Sequence, residues 1–161
     1  MTQNNNGYLT VARDDVLFAV MFRYVDSLEA ARTIANEKKL KPNSNHYEMV
    51  SMYNGDYDKA RINLTDVRPE EGRMVIEGAT FLNPKNIQYG LELLVEPDKI
   101  EQKFHGFPRA YQIFTEDSVD VTILKIWNMD RVERRIGQGY QIHREVRPRG
   151  GISSYYIAPQ P

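Results

Sequence analysis

Residues Val16–Val25, VLFAVMFRYV, run through Asp26-Ser27 into LEAARTIANEKKL at Leu28–Leu40, and the reading of this stretch decides the fold. The first ten residues are rich in Val, Phe, Met and Tyr, side chains that suit a pleated, buried surface, and this predicts a strand. A single helix capped by Asp14 and running through Lys39 is the competing reading, because a short apolar run carries no decisive periodicity. From Ser27 onward the pattern is helical. Asp26 or Ser27 can accept from an orphan backbone N–H, and Glu29 sits in the first turn, where the helix dipole favours an anion. Leu28, Ala31, Ile34 and Ala35 form a narrow apolar stripe, Lys38 and Lys39 close the other end, and Pro42 with Asn43-Ser44-Asn45 stops the helix. One main helix is therefore expected at about residues 27–39.

The rest of the chain reads as strands and turns. Tyr8–Ala12 predicts a short edge strand ended by Asp14-Asp15. Tyr47–Tyr53 and Tyr57–Leu64 flank Asn54-Gly55-Asp56, a hairpin signal, because Asn and Gly tolerate positive φ. Ala60, Ile62 and Leu64 alternate with Arg61, Asn63 and Thr65, which predicts one core face and one wet face. Arg73–Leu82 and Ile87–Val95 read as a second hairpin about Asn83-Pro84-Lys85-Asn86, with Ile87, Tyr89, Leu91, Leu93 and Val95 on one face. The stretch Ser118–Trp127 is apolar on both faces and predicts a central strand with the helix as one cover. Arg109–Phe114, Gln138–Val146 and Ile152–Ile157 supply further strands. The fold class is α+β: mainly antiparallel sheet, or a half-open barrel, with one main helix.

Composition narrows the function classes. At 161 residues the chain has the size of one domain, able to bury roughly two thirds of its unfolded surface. Residues 1–7, MTQNNNG, read as a flexible tail without a secretory signal, and 8–161 as a single domain. Hydrophobic residues at 41% and charged residues at 27% are ordinary globular values, and no apolar run approaches a membrane span. A cytoplasmic protein with no membrane association is expected. Cysteine is absent, which removes disulfides, thiolate nucleophiles and thiolate zinc sites together.

Few residues form a chemical constellation. His46, His105 and His143 show no metal-ligand spacing, so neither metal nor cofactor is expected. Asp56-Tyr57-Asp58 lacks the further ligands of a calcium loop and reads as a turn. The acidic pairs Asp14-Asp15, Glu70-Glu71 and Glu116-Asp117 fall at turns or caps, where carboxylates are solvated, and no catalytic residue is assigned. Gly137-Gln138-Gly139 lacks the third glycine of a dinucleotide fingerprint and reads as a bulge or turn.

Charge is uneven despite a formal net of −1: Arg131–Arg149 holds six arginines, two glutamates and no lysine. The planar guanidinium pairs bidentately with carboxylate or phosphate, so the cluster reads as a surface for an anion or an acidic partner. The competing reading is an edge strand protected from aggregation by its charge. Gly150–Ile157 is a glycine-hinged segment that either closes the sheet or is offered to another chain as an added strand. The candidate partner-binding residues are Arg131, Arg134, Arg135, Tyr140, Arg144, Arg147, Arg149, Tyr155 and Tyr156.

In size, lack of cysteine, Asn-containing N-terminus and lack of a catalytic signature, the chain resembles the small host-takeover proteins of T-even-type phages. That group includes inhibition of the host ATP-dependent Lon protease among its activities. The resemblance implies a non-enzymatic protein-binding module acting in the host cytoplasm on a host protease. A phosphate or nucleic-acid binder using the 131–149 arginines is the first alternative, and a small-molecule enzyme or binder with a barrel pocket the second. Unpaired sheet edges leave a homodimer open.

Overall fold

Thr2–Gln3 (β1) pairs with Leu9–Arg13 (β2), which turns at Asp14-Asp15 into Val16–Val25 (β3), the strand from which the main sheet is built. Asp14 and Asp15 have φ of 52° and 67°, the left-handed pair of a two-residue hairpin turn whose twist matches its strands. The chain continues through α1 (Leu28–Glu37), β4 (Lys39–Leu40), β5 (Arg61–Thr65), α2 (Arg73–Thr80), β6 (Tyr89–Val95), β7 (Ala110–Phe114), β8 (Val119–Asp120), β9 (Thr122–Asn128), α3 (Met129–Gly137), β10 (Tyr140–Glu145) and β11 (Ser154–Pro159). The computed structural model describes residues 2–3, 8–42, 60–102, 108–137, 140–145 and 154–159, with 2–3, 140–145 and 154–159 placed by backbone alone.

Ala19 pairs with Thr10 on one side and Val95 on the other, and Phe22 pairs with Thr65 and Glu92 in the same way. β2 and β5 therefore follow one another along one edge of β3, while β6 fills the opposite edge. β7 pairs beyond β5, and β9 beyond β6, every pairing antiparallel. The result is an open seven-stranded sheet, not a barrel. Val16–Val25 is thus strand, and the single long helix from Asp14 does not form.

Both faces are covered. Ala19, Met21, Leu91, Leu93, Val95, Ile62, Leu64, Tyr111 and Ile113 form one core with Ala31 and Ile34 of α1. Val20, Phe22, Tyr24, Leu94 and Leu124 form the other, with Ile76 and Ala79 of α2 and Met129 of α3. Ser27 Oγ accepts from Ala30 N at 3.1 Å at the start of α1, as expected of the cap. The end comes earlier than the Pro42 stop: Lys38 turns left-handed at φ 56°, donates to the Ile34 carbonyl, and frees Lys39–Leu40 to pair with β8.

Two expected strands are helices or edges instead. Arg73–Thr80 is α2, not the first arm of a hairpin, because Gly72 at φ 93° turns the chain and Ile76 with Ala79 makes a stripe that the sheet buries. Met129–Gly137 is a third helix, so one main helix becomes three. β9 is apolar on both faces as read, yet it pairs only with β6 among the described strands and is an edge. Tyr89, Leu91, Leu93 and Val95 share a face as expected, while Ile87, ahead of the strand, packs into the opposite core. Arg61 and Thr65 are buried at 1% and 0% exposure instead of wet, and α2 packs against their strand. The Asn54-Gly55 hairpin, Asp56–Asp58, His46 and His105 lie outside the described residues.

Candidate protein-binding surface

β9 hands directly to α3. The Asn128 side chain accepts from Arg131 N at 3.3 Å, satisfying one orphan donor of the first turn. Asp130 stands at the N-terminal end and Arg134 and Arg135 at the C-terminal end, the order that the helix dipole favours. Met129 and Val132 are buried, and this fixes which side faces out.

A single guanidinium fastens the helix to the body. Arg73 Nη2 donates to Asp130 Oδ1 at 2.7 Å, Nη1 donates to Glu133, and Nε donates to the Ile87 carbonyl at 2.8 Å. Nη2 also reaches Gln88 Oε1 at 3.3 Å. Both acids of α3 are therefore engaged from one side. Arg131, Arg134 and Arg135 are exposed, at i, i+3 and i+4, and among the described residues no side-chain ion pair engages them. They cover an arc of about 100° that points away from the core.

β10, the strand that carries Arg144, lies against α3. Arg144 lies on β10 and Arg147 and Arg149 fall outside the described residues. The cluster is thus divided between a helix and a ribbon: Arg131, Arg134 and Arg135 stand on α3, and Arg144 on β10, within the strand expected over Gln138–Val146. β11 (Ser154–Pro159) pairs with β10 in a separate two-stranded ribbon and does not close the main sheet. Its register sets Arg144 opposite Tyr155, His143 opposite Tyr156 and Tyr140 opposite Pro159. Tyr140, Arg144 and Tyr155 occupy positions on one face of the ribbon, with His143 and Tyr156 on the other.

Sequence reading missed a second charged assembly. Arg109 grips Glu71 with both terminal nitrogens, at 2.7 and 2.9 Å, and Asp66 Oδ1 with Nε at 2.8 Å. Burial pushes the Asp66 carboxyl up, against the pull of Arg109. Burial acts on Glu71 in the same sense but is outweighed by Arg109 and the Arg68 amide, which hold it below the usual range. Glu71 is therefore not a solvated turn carboxylate. The group joins the end of β5 to the start of β7 and has its hydrogen-bonding capacity used internally, so it is a staple. Nothing in the sequence marks it, because its members stand about forty residues apart.

Among the described residues no group of three or more histidine, aspartate or glutamate side chains could hold a metal ion, and no helix is long and apolar enough to cross a membrane. The fold and surface define an α+β protein with an open antiparallel sheet and an outward arginine helix. Comparison with protein-family models, curated proteins and solved structures finds no match in any of the three.

Proposed function

We propose that this chain is a non-enzymatic protein-binding module that engages an acidic partner through α3, with the β10–β11 ribbon as a neighbouring contact. The supporting observation is the division of labour on α3: Arg73 occupies Asp130 and Glu133, while Arg131, Arg134 and Arg135 face solvent. A helix already fixed on the body loses less entropy on binding than a mobile segment would, and arginine adds bidentate geometry to charge. The resemblance to phage host-takeover proteins makes the partner a host ATP-dependent protease of the Lon type, and the effect inhibition in the host cytoplasm.

Purified Lon, ATP and an unfolded protein substrate test this directly. The chain should slow degradation in proportion to its concentration, and R131E/R134E/R135E should need at least about tenfold more protein for the same effect. Undiminished degradation at excess wild-type protein would remove the inhibitor reading. The same arginines support a second reading as a phosphate or nucleic-acid binder, which requires oligonucleotide affinity that falls steeply with salt.

A further inference from the structure

We propose that this surface reads an acidic segment of its partner that carries one large apolar side chain, with Arg131, Arg134 and Arg135 taking the carboxylates and Met74 the apolar group. The inference rests on the protein-binding reading and adds the chemistry of what is bound.

Met74 is 75% exposed, the most open of the large apolar side chains of the described residues; Val16, Leu17 and Val75 are at 51%, 52% and 43%. It follows Arg73, whose guanidinium bonds Asp130 and Glu133, so the first turn of α2 stands beside α3. On α2 the buried residues are Ile76 and Ala79, and Met74 lies about 170° around the helix from their midpoint. On α3 the buried residues are Met129 and Val132, and Arg134 lies about 170° from theirs. Met74 and Arg134 therefore head the outward sides of two helices joined by Arg73.

The ground beyond Met74 is open. Gly78, one turn further along α2, would meet nothing within 4 Å if it carried a Cβ. A strip without side-chain obstruction next to an unbranched, polarizable thioether suits an inserted apolar group of variable shape. Charge sets the orientation. The acids of α3 are held by Arg73, whereas Glu77 stands on α2, so incoming carboxylates are favoured over α3 and disfavoured over α2. The apolar group is then directed to Met74.

Fluorescence anisotropy with a fluorescein-labelled peptide of glutamates around one central leucine tests the proposal on the full chain. Replacing its glutamates by glutamine, or introducing R131E/R134E/R135E, should weaken binding at least about tenfold. M74S should weaken the leucine peptide by about tenfold and leave a leucine-to-serine peptide unchanged. Absence of binding by the wild-type chain, equal effects of M74S on both peptides, or tighter binding of a single-stranded oligonucleotide of equal charge would each overturn it. Should Lon degradation still be slowed in that event, the protein-binding reading stands and only the recognised chemistry falls.

Discussion

Gly90 on β6 pairs with Tyr24 on β3 and lies under its ring so closely that a Cβ on Gly90 would stand 2.7 Å from Tyr24 Cε1. The ring is held in place: Tyr24 Oη donates to the Val67 carbonyl at 2.6 Å, and the ring stacks on Phe22 with centroids 6.3 Å apart. Gly90→Ala should therefore cost about 1–3 kcal/mol, the range of overpacking in a core. Urea unfolding measures it, and in a Tyr24→Leu background the same substitution should cost much less. Equal cost in both backgrounds would show that the ring is not the obstacle.

Arg73 joins three parts of the chain, and its loss should be felt at a distance. Arg73→Met removes the donor from the buried Ile87 carbonyl and both ties to α3. We expect a loss of about 1–2 kcal/mol, modest because Asp130 and Glu133 keep 64% and 38% of their side-chain surface in water. The sharper readout is hydrogen exchange: α3 amides should exchange faster, while those of β3 and β6 change only with global stability.

The physical reasons for what the sequence reveals differ from element to element. α1 is legible because its cap, stripe and dipole charges are all local, and β6 because its apolar row alternates without a break. α2 is not: in RMVIEGATFL the β-branched residues alternate like a strand, and helix wins only because the sheet buries Ile76 and Ala79 together. The signal for α3 lies in Asn128, Met129, Val132 and Ile136, at cap and helical spacing, but it is short and the arginines interleaved with it leave a narrow apolar stripe. Arg131, Arg134 and Arg135 are legible as a set, whereas the tie that frees them, Arg73, depends on a contact across some sixty residues that no local pattern encodes. Burial of Arg61, Glu92 and Gln112 is hidden for the same reason, since a polar strand face reads as wet until a helix covers it.

Stability should fall at alkaline pH for an identifiable reason. Burial holds the Tyr24 phenol well above its usual range, with Glu70, Glu71 and Glu92 adding to the effect, and burial also raises Tyr111. The unfolded chain releases these protons first, near pH ~10, so their contribution is complete below that value and is lost as pH rises beyond it. Absorbance at about 295 nm should show two tyrosines ionising only as the chain unfolds.

At acid pH two neighbouring carboxyls act in opposite senses. Glu71, held low, contributes stability above its unfolded value near ~4.3 that is lost as pH falls through its folded value. Asp66, held high, contributes the reverse: the fold gains as pH falls through that raised value toward the unfolded ~3.9. Glu71→Gln should flatten the acid limb of a urea-midpoint profile, and Asp66→Asn should steepen it. Identical shifts from both substitutions would contradict the opposed signs.

Trp127, the one tryptophan of the chain, donates its indole N–H to Glu92 Oε1 at 2.9 Å, with the two residues 1% and 0% exposed. This pair joins β6 to β9, the strand that leads into α3, so it bears on how firmly the arginine helix is based. Glu92→Gln retains an acceptor of the same shape and should cost little. Glu92→Ala leaves the indole donor buried without its partner and opens a void beside it, a loss of about 2–4 kcal/mol. Fluorescence separates the cases: the emission of Glu92→Gln should stay at the wild-type position, while that of Glu92→Ala should move to the red as water reaches the ring. A Glu92→Ala protein with unchanged emission and an unchanged urea midpoint would mean that the hydrogen bond contributes nothing to holding β9, and with it α3, in place.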